Sequence, residues 1–200
     1  MTIRQDFGFS PTSHAGGKPG ELGGFVQAAA EPAWYAKPIA PLTLDQPLSA
    51  SGTLAVADGG TNLLLGFFNA DTAKEWRTAN SLALRINGRG DHFFVYLEYC
   101  TSKWRAGADS PQAFPRTEQQ QPGRKTGSAF PSGGKVHRWE LRYDPAGNNG
   151  GGVITARIDD KTSVCHLDAG HKADGATFNR FGVLNVVRAP TTAATSSSTT

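Results

Sequence analysis

The chain of 200 residues has no apolar stretch approaching 18 residues, which excludes a transmembrane helix. It has no run of four Lys or Arg and no nucleic-acid motif. Lys+Arg 20 and Asp+Glu 17 are interspersed and leave a net charge of only +3, so the electrostatic footprint of a nucleic-acid binder is missing. The opening MTIRQDFGFSPTSHAGG lacks the charged-then-apolar plan of a signal peptide. Cysteine is scarce: Cys100 and Cys165 sit in different strand-like runs. One disulfide and two buried thiols fit equally, and the redox compartment is not fixed. No internal repeat and no amphipathic helix is present.

What the chain does have is turns. Gly 24 and Pro 12 make up 18% of it, above the usual ~12%. Between them lie short runs with a two-residue period. GFVQAA (24–29) reads as the first strand, after a Gly/Ser/Pro-rich surface loop over 1–24. Strand signals follow in the second half of 42–57, in NLLLGFFNA (62–70), and in two hairpins. The first hairpin joins SLALRIN (81–87) to HFFVYLEYC (92–100) through GRGD; the second joins VHRWELRYD (136–144) to VITARIDD (153–160) through a Gly/Asn loop. KTSVCHLD (161–168), a loop over 169–176 and TFNRFGVLNVV (177–187) close the pattern. Near Asp71 the signals support one or two helical turns at most. The polar stretch 101–134 is either a functional excursion or the carrier of a minor hairpin, because structureless loops of that length are uncommon in compact domains. Many short strands with regular turns predict an all-β fold, a two-sheet antiparallel sandwich over 1–188, large enough to bury a core without disulfide or metal. The Ser/Thr-rich tail 189–200 is expected to be disordered.

Strand alternation sorts side chains onto faces. Phe94, Tyr96, Glu98 and Cys100 share one face of their strand, and Phe93, Val95, Leu97 and Tyr99 the other. His137, Trp139, Leu141 and Tyr143 oppose Arg138, Glu140 and Arg142; Ile154, Ala156 and Ile158 oppose Thr155 and Arg157. Arg85, Tyr96, Glu98, Glu140, Arg142 and Arg157 are thereby expected on solvated faces. If one sheet carries them all, it presents Arg–Glu pairs beside aromatics, groups that hydrogen-bond sugar hydroxyls and stack on sugar rings. The plainer alternative is a wet outer face with cross-strand charge pairs. Two loop clusters, Trp76 and Arg77 with Asn80, and Lys103, Trp104 and Arg105, are further sugar-platform candidates; the alternative is that each Trp caps the core.

Catalytic signals are thin. A retaining glycosidase needs two carboxylates about 5 Å apart, and the E-x-D-x-x-E strand pattern of laminarinase-type enzymes is absent. Glu98 is the only carboxylate in its strand, with His171 or Asp174 as conceivable partners. His171 and Asp174 fall short of the three or four ligands zinc requires. Asp58, Asn62, Asn69, Asp71, Asp159, Asp160 and Asp168 are candidate calcium donors, but no run has a calcium-loop pattern. GNNGGG (147–152) lies between strands and reads as a hairpin loop, not a phosphate cradle.

The closing segment GHKADGATFNRFGVLN (170–185) resembles concanavalin A-like (lectin/glucanase, laminin G-like) jelly-roll domains of large, planctomycete-type bacterial proteins. The segments 68–88, 137–159 and 6–24 are similar too, so the resemblance covers roughly residues 6–187. It implies a jelly-roll sandwich whose concave sheet receives glycans, and an extracellular or cell-envelope setting, beside neighbouring domains of a larger protein. A further strand expected after Val187 is replaced by the tail. Three functions follow: a non-catalytic carbohydrate-recognition or adhesion module, with a glycan or polysaccharide partner and no cofactor beyond an optional Ca2+; a carbohydrate-active enzyme on the same scaffold; or a structural, protein-interaction domain. The candidate carbohydrate-binding residues are Trp76, Arg77, Asn80, Arg85, Tyr96, Glu98, Trp104, Arg105 and Arg142.

Overall fold

A computed structural model describes residues 31–57, 62–74, 78–105, 112–113 and 129–185. The strand expected at 24–29, the tail 189–200 and the loop residues Trp76 and Arg77 lie outside the described residues.

The described chain is nearly all β, in two antiparallel sheets. The larger has seven strands, in the order β1 (Trp34–Thr43), β11 (Thr177–Asn185), β3 (Asn62–Phe68), β4 (Ser81–Arg89), β5 (His92–Cys100); beyond β5 lie two short strands, β6 (Gln112–Ala113) and β7 (Ala129–Pro131), which both pair with it. The smaller has four, in the order β10 (Lys161–His166), β9 (Val153–Ile158), β8 (Val136–Asp144), β2 (Leu48–Ala55). The last described strand pairs with the first, Trp34 opposite Leu184. The stretch 101–134 thus contributes two short strands where they are described, rather than only a loop. The loop expected over 169–176 contains a single helical turn, His171–Asp174, closed by Gly175.

Both expected hairpins form. Between β4 and β5 the turn is Gly90–Asp91, with Gly90 at φ 71°, the positive φ that a two-residue turn needs at its first central position. Between β9 and β10 the turn is Asp159–Asp160, with Asp159 at φ 51°.

The expected faces hold. Leu82, Leu84, Phe93, Val95, Leu97, Leu141, Ile154, Ala156 and Ile158 are wholly excluded from solvent between the sheets. The apolar run of β3 has a different cause. Leu65 and Phe67 enter the main core, whereas Leu64 and Phe68 join Trp34, Ala36, Ala83 and Leu184 in a second apolar cluster on the outer face of the larger sheet. A strand buried on both faces loses its alternation. The rings of Trp34 and Phe68 meet edge-on at 6.2 Å. The residues in register between their strands are Gly182 and Gly66, and a Cβ at Gly66 would lie 2.4 Å from the Leu82 carbonyl oxygen.

Cys100 and Cys165 are both buried free thiols, which selects the second of the two cysteine readings.

Candidate functional site

β4 and β5 pair so that Arg85 stands opposite Tyr96 and Ala83 opposite Glu98, on the face turned away from the main core. β3 completes this face: Asn62 is opposite Asn87, one pleat from Arg85. The guanidinium of Arg85 is held from two sides. Its Nη1 donates to Glu98 Oε1 at 3.2 Å, and its Nε donates to Asn62 Oδ1 at 3.2 Å. Its carbon centre lies 6.0 Å from the Tyr96 ring centroid, a cation–π contact. The Arg85 and Glu98 side chains are only 14% and 8% exposed, so this pair sits where water screens it little. Burial pushes the Tyr96 hydroxyl above its ordinary value, and the Arg85 charge partly opposes the shift.

Along β5, His92, Phe94, Tyr96 and Glu98 follow one another on this face. His92 packs edge-on against Phe94 at 5.1 Å and bonds Asp91 through Nδ1 at 2.7 Å; that hydrogen bond holds the Asp91 carboxyl below its ordinary range. The amide nitrogen of Asn62, the amide of Asn87 and the Tyr96 hydroxyl have no hydrogen-bond partner among the described residues. The face therefore offers a fixed guanidinium, a single carboxylate, two amides and a phenol beside aromatic rings. That set can donate to and accept from hydroxyl groups.

The expected site residues do not gather on this one face. Arg85, Tyr96 and Glu98 share it. Arg142 is on the outer face of the smaller sheet, where its Nε bonds Glu140 beside a shallow open groove lined by Ser49 and Ser51. Arg157 lies there too, paired in register with Glu140. The two outer faces point away from each other, so no single sheet carries all these charges, and the Glu140–Arg142 side is the wet face of the plainer reading.

Asn80 is structural rather than surface-binding. At φ 57° and 8% exposure, its Oδ1 accepts from the Thr177 amide at 3.2 Å and its Nδ2 donates to Thr72 Oγ1 at 3.3 Å. Asn69 and Asn179 extend this corner: Asn69 Nδ2 donates to the Thr177 carbonyl at 3.1 Å, and the Ala70 amide to Asn179 Oδ1 at 2.9 Å.

Trp104 is half-buried, not a free platform. It packs on Tyr99 with ring centroids 4.9 Å apart and on His171 at 4.3 Å, closing one end of the core. Arg105 is exposed, and its Nη1 reaches the Lys103 carbonyl at 3.4 Å. His171 Nδ1 lies 2.9 Å from the Tyr99 hydroxyl, and Asp174 Oδ2 accepts from Thr101 Oγ1 at 3.2 Å. Tyr99 points into the core and Glu98 out of it, so neither His171 nor Asp174 is brought to Glu98 as a catalytic partner. Burial raises the Tyr99 hydroxyl to about 12.

Among the described residues, no group of three or more His, Cys, Asp or Glu is placed to hold a metal ion. The calcium candidates are dispersed: Asn62 bonds Arg85, Asn69 and Asp71 bond Asn179, and Asp159 bonds His137. Asp58 lies outside the described residues.

Asn62 and Asn87 are the functional candidates that sequence reasoning missed on this face. Alternation alone puts Asn87 with Arg85. Asn62 needed the β3–β4 register, which no local signal fixes. Comparison with family models, curated proteins and solved structures gives no match. The chemistry of the face carries the functional argument alone.

Proposed function

We propose that this protein is a non-catalytic carbohydrate-recognition or adhesion module that binds a glycan on the outer face of its larger sheet. The observation that carries the reading is the Arg85–Glu98–Asn62 array beside Tyr96, with unpartnered amide and hydroxyl groups around it. Arg85 is held in place before any ligand arrives, so little ordering cost falls on binding. Tyr96 and Phe94 supply ring surface for the C–H face of a sugar, and Asn62 and Asn87 supply directional bonds to its hydroxyls. A single carboxylate without a second acid or base near it favours binding over glycosidic cleavage. The antiparallel two-sheet architecture is consistent with the concanavalin A-like, laminin G-like jelly roll that the sequence resembles. With that class come the extracellular or cell-envelope setting and attachment to neighbouring domains, as parts of the same proposal.

The test is a polysaccharide screen with the full chain, run with calcium and again with chelator. Saturable binding should weaken by at least about tenfold, roughly 1.4 kcal/mol, in Arg85→Ala and Tyr96→Ala and stay unchanged in Arg142→Ala. Loss under chelator would add a metal to the site. A folded protein that binds no glycan ends this reading and leaves the interaction domain.

A further inference from the structure

The main core is sealed in its middle and leaks at one side. The half-buried apolar residues packed against it include Ile39 and Leu42 of β1, Leu54 of β2, and Phe181 and Val183 of β11. β1 and β2 are the edge strands of the two sheets, joined by a short turn, and β11 lies next to β1. The gap therefore runs where these two edges face each other.

β2 borders it with an open edge, since it pairs only with β8. Its sequence, LSASGTLA, holds no charge and no proline, two of the devices by which proteins protect exposed edges. Ser49, Ser51, Gly52 and Thr53 are exposed, and small side chains let another backbone approach closely.

The indole of Trp139 adds an independent observation. Gly52 is its register partner, and a Cβ on Gly52 would sit 3.3 Å from Trp139 Nε1. The ring fills the place of the missing side chain and stacks on Phe181 at 6.3 Å. Trp139 is 7% exposed, yet its N–H has no hydrogen-bond partner among the described residues. A buried indole N–H normally has one.

We infer that this open side is a docking site for an extended peptide segment of a partner protein. The segment adds a strand to the smaller sheet along β2, places alternate apolar side chains against Phe181 and Leu54, and turns an acceptor toward the Trp139 N–H. Main-chain bonds supply the affinity and the apolar gap selects the side chains. A second copy fits less well. The inward residues of its β2 already face its own core, so pairing two β2 edges fills neither gap and reaches neither indole. This site lies apart from the Arg85 face and does not depend on it.

The experiment is nuclear magnetic resonance on the 15N-labelled full chain, titrated with a nine-residue peptide alternating valine and threonine. The Trp139 indole resonance, assigned by its loss in Trp139→Phe, should shift, and alternate amides of β2 should exchange at least about tenfold more slowly. Of Ser51→Pro and Gly52→Pro, the one whose N–H points away from β8 keeps the parent Tm, and it should weaken peptide binding about tenfold. Three results overturn the inference. One is no shift at millimolar peptide. Another is full protection of every β2 amide in the dilute free protein, which means the chain fills its own gap. The third is protection that grows with protein concentration alone, which means a second copy does.

Discussion

His137 is 1% exposed and has an acceptor at each ring nitrogen: Asp159 Oδ2 lies 2.8 Å from Nδ1, and the Pro131 carbonyl 2.8 Å from Nε2. Phe93 and Phe130 present their rings edge-on to it. One side chain thereby ties β8 to β7 and to the β9–β10 turn. His137→Ala should cost about 2–4 kcal/mol in chemical denaturation, since it opens a cavity and strips two polar partners. The Asp159 carboxyl is held below its ordinary 3.8, first by the His137 hydrogen bond. A depressed acid contributes stability that is present above its ordinary value and lost as pH falls through the folded one. Asp159→Asn should therefore flatten the acid limb of Tm against pH below about 3.8, while Asn still tolerates φ 51° at the turn. An unchanged acid limb would remove Asp159 from the acid sensitivity. At this scale the sequence spoke only in part. Alternation turned His137 inward, but nothing local announced that Asp159, 22 residues on, would meet it.

At the scale of the element, hairpins were the most readable feature, because turn and period lie within about 20 residues of each other. The face assignments of β4, β5, β8 and β9 followed directly from alternation. β3 and β11 were legible as strands, but their second buried face was not. It arises from long-range pairing that puts Trp34, Leu64, Phe68 and Leu184 together. The same limit hid the role of Asn80, whose partners come from three separate segments. Gly66 gives the element-scale prediction. Its virtual Cβ collides with backbone and with Ala83, so β3 and β4 could not keep their spacing with a methyl between them. Gly66→Ala should lower stability by roughly 1–3 kcal/mol, read as a lower denaturation midpoint. A neutral result would mean that the strands part there without cost.

At the scale of the whole molecule, burial sets the alkaline limit. The Tyr99 and Tyr143 hydroxyls are pushed from 10.0 to about 12, and the Cys165 thiol from 9.0 to about 11, each mainly by desolvation. Below pH 9 these groups are neutral in both folded and unfolded chains and shift nothing. Above it the unfolded chain releases protons that the folded chain retains, so stability falls progressively between about pH 9 and 12. A Tm scan should show that decline, and Cys165→Ser should remove its earliest part. A Tm constant to pH 11 would mean that these groups ionise without unfolding.

The pairing of β1 with β11 bears on how the molecule answers to tension. Trp34, at the start of β1, stands opposite Leu184, near the end of β11, and Asn185 binds the Ala33 backbone through both its amide and its side chain. The chain thus enters and leaves the larger sheet at neighbouring points. A pull on both flanks loads the β1–β11 hydrogen bonds one pair at a time, as a zipper opens, instead of shearing them together. Asn185 is the first tooth. Within a larger protein under strain, this domain would yield early by peeling from that corner, while the sealed middle of its core stayed intact.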